Sequence, residues 1–516
     1  MNFNKHLYPI ALIIITFLGL ILRLLYLDKL GTYWFDEMAS LVIARQDFPK
    51  IWEYLVIENN PPLSFLFLHF WIELFGEKEN VVRISSLIFG VAAIPVTYYI
   101  GKELFSRKTG IIAGLFMSLS FFQIFYSTDA RMYPLFQFLA LASIYFFWKI
   151  LNKNAKRNWF FYLLSTILLV YTHIFAWTII SFQILFLYIY NADYQKIKNK
   201  ILTAKLFILL FFLTWFISKI QAMDFSNLTN GLYFRTSSNI LSIGQMLIDL
   251  FYENAPNRFI ELPLVLLIIS LGISAFLLSV KDNKNNEYFF IFKTSKSLLF
   301  MTLWITIPLI IIFLFFPSSP AKYIIFVGPA LYLLIAQGIV NLKLKPEILI
   351  PTILFISIVI FSDTFDVLKN TKQAYIWDKV VEYVSEEEKP QDQIIIHSFI
   401  GIFEFRQYYK GTIPYEGFYI FDNNEEINKM IIKRNWNTII LEKDYPKVDK
   451  KMQALTNGHN RIFLIEVNKP PFDPYNLVDE WFIKNNWHLT KSEDFKKYKP
   501  TTRNYVPKIW LWEKSN

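Results

Sequence analysis

Residues Ile10 to Leu27 read IALIIITFLGLILRLLYL, and residues Ser297 to Phe316 read SLLFMTLWITIPLIIIFLFF. Each run approaches or reaches the roughly 20 apolar residues that an α-helix needs to cross a bilayer. Similar runs recur over residues 1–362 of the 516-residue chain, and only 18% of all residues are charged, against roughly 25% in soluble domains. The pattern predicts an α-helical polytopic membrane protein and argues against an ordinary cytosolic enzyme.

The apolar runs predict about eleven membrane spans. We place them near residues 8–27, 81–100, 110–126, 134–150, 158–170, 174–190, 202–217, 261–280, 297–316, 323–340 and 347–362. The first run follows a short basic flank, Lys5 and His6, and no small-residue cleavage site comes after it. It is therefore predicted to remain as an anchor.

Lysine and arginine concentrate in alternate loops, which is typical of the cytoplasmic side. One such loop is predicted to hold Lys196, Lys198, Lys200 and Lys205. The count places the N-terminus in the cytoplasm and the first outer loop, residues 28–80, outside, in a multi-pass protein of the plasma membrane. The formal net charge of +10 reflects this loop bias, so no nucleic-acid partner is expected.

The last segment, residues 363–516, has a soluble composition. Apolar runs at Gln393–His397, Thr438–Leu441 and Ile462–Val467 predict strands, and helical periodicity occurs at Tyr375–Val384 and Asn424–Lys433. An odd span count places this predicted α/β domain outside the cytoplasm. The chain has no cysteine, which excludes disulfides, thiolate metal sites and a cysteine nucleophile.

The first candidate for chemistry is the acidic pair Asp36-Glu37, which follows Tyr33-Trp34-Phe35 just after the first span. Adjacent helical residues point roughly 100° apart, so the two carboxylates are predicted to do different jobs. A carboxylate at an apolar boundary has a raised pKa, which suits a general base. The alternative is a helix cap or a solvated pair.

The second candidate is Asn60-Pro61-Pro62-Leu63, followed by an aromatic segment, Ser64–Phe75, that contains His69. The prolines favour a rigid start for a helix, and the segment is too short to span comfortably, which predicts an interfacial or re-entrant helix. His69 is more often a packed core or interface histidine than a ligand in such a setting.

Two further polar turns lie between spans. The first runs from Tyr126 to Tyr133 and holds Asp129 and Arg131, which fall on one side of an extended turn and form either an ion pair or part of a site. The second is Ser318-Ser319-Pro320-Ala321-Lys322-Tyr323. For Lys322, as for Arg83 and Arg23 at or inside spans, the alternative is snorkelling to the membrane surface.

The order and spacing of these motifs over the first 340 residues resemble the GT-C superfamily of polytopic glycosyltransferases, and within it the group of protein mannosyltransferases and lipid A aminoarabinose transferases. The motifs are Trp34 with Asp36-Glu37, Asn60-Pro61-Pro62-Leu63, Gly76 followed by Arg83, Tyr126 to Tyr133, and Lys322-Tyr323. The chain has Asn60 where members of the group often have His, and Lys322-Tyr323 where they often have Arg-Tyr.

The resemblance implies an inverting transferase that moves a sugar from a polyprenyl-phosphate carrier to a hydroxyl of a glycolipid, polysaccharide or protein. Asp36 corresponds to the proposed base, with Glu37 beside it and Asp129 as a second acid. Arg131, Lys322 and Arg83 are the candidates for the carrier phosphate, and Asn60, Tyr126, Tyr323 and His69 for substrate contacts. A divalent cation, Mg²⁺ or Mn²⁺, held by Asp36, Glu37 or Asp129 is a candidate cofactor.

Two other functions fit part of the pattern. A transporter or flippase for a lipid-linked sugar would also place charges within the membrane, but it favours helix breakers at span midpoints and inverted repeats, neither of which is clear here. A non-catalytic sugar-lipid-binding relative would lack the acids, which this chain retains.

Overall fold

The computed structural model describes residues 7–58, 60–222, 240–250, 273–281, 288–292, 295–316, 320–369, 375–397, 401–418, 440, 442–467, 473–495 and 507–515. The chain divides into two compact units. The helical unit comprises Met1–Leu27 and Ile51–Asn370, and the C-terminal unit comprises Asp28–Lys50 and Thr371–Asn516. The predicted boundaries differ in one important respect, because Asp28–Lys50 had been assigned to the membrane domain.

The chain up to residue 369 is mainly helical. The helices are Leu7–Leu27 (α1), Phe35–Ala44 (α2), Phe48–Ile57 (α3), Leu63–Phe75 (α4), Glu79–Leu104 (α5), Arg107–Leu119 (α6), Phe121–Ser127 (α7), Tyr133–Asn152 (α8), Lys156–Val170 (α9), Ala176–Ile189 (α10), Asn191–Ala222 (α11), Ile240–Asp249 (α12), Lys296–Phe315 (α13), Val327–Asn341 (α14) and Pro346–Lys369 (α15). A short 3₁₀ helix, Ala321–Ile324, precedes α14, and two strands, Leu277–Lys281 (β1) and Tyr288–Phe292 (β2), form an antiparallel pair.

Within the described residues, six helices are long and apolar enough to cross a membrane, namely α1, α5, α8, α11, α13 and α15. Helices α6 and α7 are bent by 64° and would make a seventh span together, while α4, α10 and α14 are shorter apolar helices. The protein is therefore an integral membrane protein by fold and composition, and the count of about eleven spans stays a prediction. The predicted span at 261–280 ends in strand β1, and its residues 261–272 lie outside the described part.

Arg23 stabilises the break between α6 and α7. Its guanidinium is fully buried and donates hydrogen bonds to the carbonyls of Gly19 at 2.9 Å, Met117 at 3.4 Å and Ser118 at 3.5 Å. Thr364 of α15 donates its hydroxyl to the next carbonyl, Leu119 O, at 2.9 Å. The carbonyls of Met117, Ser118 and Leu119 lie in the last turn of α6 and need donors inside a membrane. Snorkelling, the alternative considered for Arg23, is therefore wrong.

Two other basic residues are also buried rather than snorkelling or solvated. Arg83 in α5 has no solvent exposure. Lys205, predicted in a cytoplasmic loop, lies inside α11, where its Nζ donates to Gln183 Oε1 at 2.7 Å. Tyr162 donates its hydroxyl to the same amide oxygen at 3.0 Å. The buried amino group of Lys205 is tolerated here because the amide oxygen of Gln183 accepts its hydrogen bond.

Loops that were predicted to share a side contact one another. Among the predicted inner loops, Lys149 pairs with Glu103 at 3.1 Å, and Lys296 pairs with Asp193 at 2.9 Å. Among the predicted outer loops, the N–H of Leu63 donates to Tyr171 O at 2.9 Å. Each of these three contacts joins loops that were predicted to lie on the same side, and the topology of the whole chain stays a prediction.

The C-terminal unit contains a five-stranded mixed sheet in the order β4-β3-β5-β7-β6. Its elements after residue 370 are helix Trp377–Glu387 (α16), strand Gln393–His397 (β3), helix Ile402–Tyr408 (α17), strand Tyr415–Gly417 (β4), helix Tyr445–Thr456 (α18), strand Arg461–Glu466 (β5), helix Leu477–Lys484 (α19), strand Trp487–Asp494 (β6) and strand Lys508–Lys514 (β7). Strand β3 pairs parallel with β4 and β5, while β7 pairs antiparallel with β5 and β6.

The sheet is covered by apolar side chains on both faces. One face packs against Val380 and Val384 of α16, and the other packs against Val448 and Met452 of α18. This arrangement explains why β3 is buried along its whole length. The predicted α/β domain and its strands at 393–397 and 462–467 are confirmed, while the helix at 424–433 and most of the strand at 438–441 lie outside the described residues.

Candidate active site

The acidic pair lies in the first turn of α2, in the C-terminal unit. Glu37 is buried, and its Oε2 accepts a hydrogen bond at 3.3 Å from the N–H of Trp34, which precedes the helix in an extended conformation. Asp36 is half-buried. Two acids in the first turn also suit the positive end of the helix dipole. The prediction of different jobs fits this geometry, because Glu37 caps the helix while the Asp36 carboxyl is not part of that cap.

The turn that holds Asp129 and Arg131 is compact, not extended as predicted. The N–H of Arg131 donates to Asp129 O at 2.7 Å, and the N–H of Asp129 donates to Tyr126 O at 3.4 Å. Both charged residues are buried. Gly90 in α5 permits this packing, because a Cβ there would clash with Ser127 in the last turn of α7. The burial of both charged side chains favours a functional site over a surface ion pair.

An aromatic cluster joins three of the predicted outer turns in the helical unit. The ring of Tyr133 lies 5.7 Å from Tyr126 and 6.1 Å from Tyr323 between centroids. The Nζ of Lys322 lies 5.2 Å from the centroid of the Tyr133 ring, within cation–π range. The structure therefore brings Tyr126, Lys322 and Tyr323 together, although the chain separates them by nearly two hundred residues.

His173 belongs to the same cluster and was not among the predicted site residues. Its ring lies 5.3 Å from Tyr323 and stacks on Phe136 at 4.8 Å. The Nδ1 atom accepts the backbone N–H of Phe175 at 3.2 Å, so the proton of a neutral ring is on Nε2. The sequence signal for this position is a histidine in the short loop between the predicted spans at 158–170 and 174–190.

A second polar cluster surrounds the Asn60-Pro61-Pro62 motif. Asn60 donates its amide to Glu58 Oε1 at 2.7 Å, and Lys219, at the end of α11, donates its Nζ to Glu58 O at 2.6 Å. Glu58 and Asn60 are buried, and Lys219 is nearly so. Lys219 was missed because it ends a long apolar helix, where a single lysine is typical of a membrane boundary.

The remaining predicted site residues in the helical unit are Arg83 and His69. Ser86, which is one turn after Arg83 in α5, donates its hydroxyl to Arg131 O at 3.2 Å. Helix α5 thus supports the turn that carries Arg131. His69 is half-buried in α4, with its ring 5.3 Å from that of its neighbour Phe70. The short helix at 64–75 is present as predicted, with the bounds Leu63–Phe75.

The three acids proposed as metal ligands do not form a ligand set within either unit. Asp36 and Glu37 belong to the C-terminal unit and Asp129 to the helical unit. Among the residues that the structure describes, no group of three His, Cys, Asp or Glu side chains is placed to hold a metal ion. One oxygen of Glu37 is also engaged in the cap of α2. The divalent cation stays a prediction, and the steps below are assigned to side chains of the protein itself.

Known proteins resemble the chain in part of its sequence and in its fold. Residues 59–217 match the family model described as dolichyl-phosphate-mannose-protein mannosyltransferase. The fold matches a crystal structure of ArnT from Cupriavidus metallidurans in the apo state, with a TM-score of 0.59, 11% identity and 97% of each chain covered. A second structure, of that protein bound to undecaprenyl phosphate, matches with a TM-score of 0.58, 11% identity and coverage of 98% of this chain and 97% of the other.

A more distant match is the Archaeoglobus fulgidus oligosaccharyltransferase tethered with an acceptor peptide, with a TM-score of 0.54 and 12% identity over 93% of this chain and 71% of that one. No curated protein sequence matches the chain. The partial family match and the shared fold both support the predicted resemblance to GT-C glycosyltransferases of the ArnT and protein-mannosyltransferase type. The transporter alternative is not favoured.

Proposed function

We propose that the protein transfers a sugar from a polyprenyl-phosphate carrier to a hydroxyl acceptor at the outer face of the membrane, with inversion at the anomeric carbon. The observation that carries the proposal is the cluster of Tyr126, Tyr133, His173, Lys322 and Tyr323 at one end of the helical unit. A cation over an aromatic ring at the end of apolar helices suits a phosphate attached to a lipid.

In this reaction Lys322 and Arg131 bind the carrier phosphate. As the bond between the anomeric carbon and the phosphate oxygen breaks, the bonding electrons pass to the phosphate, which leaves as an anion. No acid is needed to protonate it, because cations stabilise the growing negative charge. Lys322 lies in a 3₁₀ turn that begins directly after Pro320, whose ring fixes φ at the residue that precedes the turn.

Asp36 is proposed to accept the proton of the acceptor hydroxyl as its oxygen attacks the anomeric carbon. Its half-buried carboxyl is not part of the cap that Glu37 forms on α2. Glu37 keeps the first turn of α2 in place, and Asp129 is retained as a second acid for orienting the substrate. Substrate contacts are proposed for Asn60, Tyr126, Tyr323 and His69.

The topology that suits this reaction has the N-terminus in the cytoplasm and the C-terminal unit outside, in the plasma membrane. The distribution of lysine and arginine supports this orientation. The acceptor is proposed to be a glycolipid, a polysaccharide or a protein of the cell envelope. A lipid carrier fits an outer site, because nucleotide sugars are not expected on that side.

The proposed function is tested by comparing cells with and without the gene. Mass spectrometry of their glycolipids, polysaccharides and glycoproteins should reveal a sugar that is added only when the gene is present. The Lys322→Ala variant, expressed at the same level, should restore little of that sugar. An unchanged set of glycoconjugates in the deletion strain, grown under conditions in which the gene is expressed, contradicts the proposal.

A further inference from the structure

The backbone before helix α2 is attached to the start of α16. The N–H of Thr32 donates to Tyr375 O at 3.3 Å, and the N–H of Tyr375 donates to Leu30 O at 3.0 Å. The N–H of Trp377 donates to the hydroxyl of Thr32 at 3.1 Å. These bonds join segments more than three hundred residues apart in the chain, so the entry to the acidic helix is fixed by the C-terminal unit.

Helix α17 provides a second attachment at both ends of α2. The N–H of Tyr33 donates to the hydroxyl of Tyr408 at 2.8 Å. At the other end, the guanidinium of Arg45 donates to Gln407 Oε1 at 2.9 Å. Because α17 bonds to residues just before and just after α2, it constrains both the position and the direction of the helix that carries Asp36.

Glu404 lies in the first turn of α17 and is the acid of this helix. Its side chain is 4% exposed, and its Oε2 is a buried oxygen that accepts no hydrogen bond. Burial raises the pKa of Glu404 to about 8, and the negative charge of Asp36 contributes to the rise. Two carboxyl groups that interact in a buried place do not both ionise readily, and the more buried one is the one that keeps its proton.

Several charged residues lie on α17 and on the helices packed against it, α2 and α16. Besides Glu404, they are Asp36, Glu37, Asp378, Lys379, Glu382, Glu386, Glu387 and Arg406. Of these, Asp36 is the residue whose charge acts on Glu404. The proton of the pair is therefore assigned to Glu404, the more buried of the two, and the charge to Asp36.

We propose that Glu404 is a positioning residue for the reaction, whose neutral carboxyl donates a hydrogen bond to the carboxylate of Asp36 and holds it in one orientation. This inference rests on the proposed role of Asp36 as the base. In this arrangement the hydrogen bond from Glu404 fixes the direction in which the Asp36 carboxylate faces the acceptor hydroxyl. It also gives the C-terminal unit a role, since that unit supplies the group that orients the base.

The experiment compares Glu404→Gln with Glu404→Leu in the full-length protein. Glutamine keeps a neutral donor of the same size, whereas leucine fills the space without a donor. In membranes from complemented deletion cells, we expect Glu404→Gln to form the gene-dependent glycoconjugate within about threefold of wild type, and Glu404→Leu to be slowed about tenfold or more, the value of one hydrogen bond at the transition state. Glu466→Gln, which alters a buried carboxyl bonded to Trp510, is the matched control.

A second measurement does not depend on turnover. The pKa of Glu404 is raised in the folded state, so the stability that its protonated form provides is present at low pH and is lost as pH rises through about 8. A glutamine at position 404 does not titrate, so the variant keeps this stability at pH 8. The melting temperature of purified Glu404→Gln should therefore exceed that of wild type at pH 8 by more than at pH 5.

The outcomes separate the two proposals. Wild-type membranes that form no product contradict the proposed function, while the melting temperatures still report the protonation of Glu404. A Glu404→Gln protein as inactive as Asp36→Asn overturns the positioning role, because it shows that Glu404 must ionise. Equal rates for Glu404→Leu and wild type, or a melting difference that does not vary with pH, also overturn it.

Discussion

At the scale of single residues, Asp36 and Glu37 are neighbours in the sequence but occupy different environments. Glu37 is buried and caps α2 through the N–H of Trp34, whereas Asp36 is half-buried and interacts with Glu404. A capping acid contributes to stability, and a partly exposed acid with a perturbing neighbour suits proton transfer. The two residues should therefore respond differently to removal of their charge.

We expect Asp36→Asn to lower the rate of transfer at least about a hundredfold, because it removes the proton acceptor and keeps the shape. Glu37→Gln retains an oxygen for the cap and should lose much less activity. The rates are measured in membranes that contain equal amounts of each protein. If Asp36→Asn turns over normally while Glu37→Gln does not, the base has been assigned to the wrong acid.

Lys322 should contribute to both donor binding and turnover. The phosphate gains charge as the glycosidic bond breaks, so a cation that contacts it stabilises the transition state more than the ground state. Lys322→Ala should therefore raise the apparent KM for the donor and lower kcat, and Lys322→Arg should be partly active. Lys200, whose Nζ lies 4.6 Å from the centroid of the Trp159 ring, is the control, since Lys200→Ala removes a cation–π contact among the predicted inner loops. Equal effects of both alanine variants would argue against a phosphate contact.

At the scale of helices, several predicted spans agree closely with the structure. The run at 8–27 corresponds to Leu7–Leu27, and the run at 134–150 corresponds to Tyr133–Asn152. Uninterrupted hydrophobicity is sufficient to define such helices. The break between α6 and α7 was not predicted. Ser120 caps α7 locally, but the donors to the last carbonyls of α6 come from Arg23 and Thr364, which are distant in the sequence.

Arg23→Met should destabilise the helical unit, because it leaves the carbonyls at the end of α6 without their donors. Each buried group left unsatisfied costs about 1–3 kcal/mol. The melting temperature of the purified protein should fall clearly, and Arg157→Met, which changes an exposed arginine at the start of α9, should leave it nearly unchanged. Similar melting temperatures for the two variants would contradict the role given to Arg23.

For the acidic helix α2, the sequence predicted the motif but not the structural unit to which the helix belongs. The motif at Asp36-Glu37 was recognised, but its membership in the C-terminal unit was not. The contacts that decide it involve Tyr375 and Tyr408, which have no unusual local pattern. Likewise, Glu404 is one acid among many in a soluble segment, and only its burial and its interaction with Asp36 distinguish it.

At the scale of the whole molecule, the account depends on the orientation of the chain in the membrane. The wild-type chain has no cysteine, so single introduced cysteines report their own exposure. We expect an impermeant maleimide to label Lys484→Cys in intact cells and to label Lys108→Cys only after the membrane is opened. Both positions are exposed in the structure. The reverse pattern of labelling would invert the proposed topology.

The central claim, a lipid-phosphate-linked donor, is tested most directly by offering purified protein two donors with the same acceptor. One is a polyprenyl-phosphate sugar, and the other is the nucleotide sugar with the same sugar group. The sugar is the one identified by mass spectrometry of the gene-dependent product. The account predicts transfer from the lipid donor alone, with a slower rate for Lys322→Ala. Transfer from the nucleotide sugar alone, at a rate that Lys322→Ala leaves unchanged, would contradict both the donor and the phosphate contact.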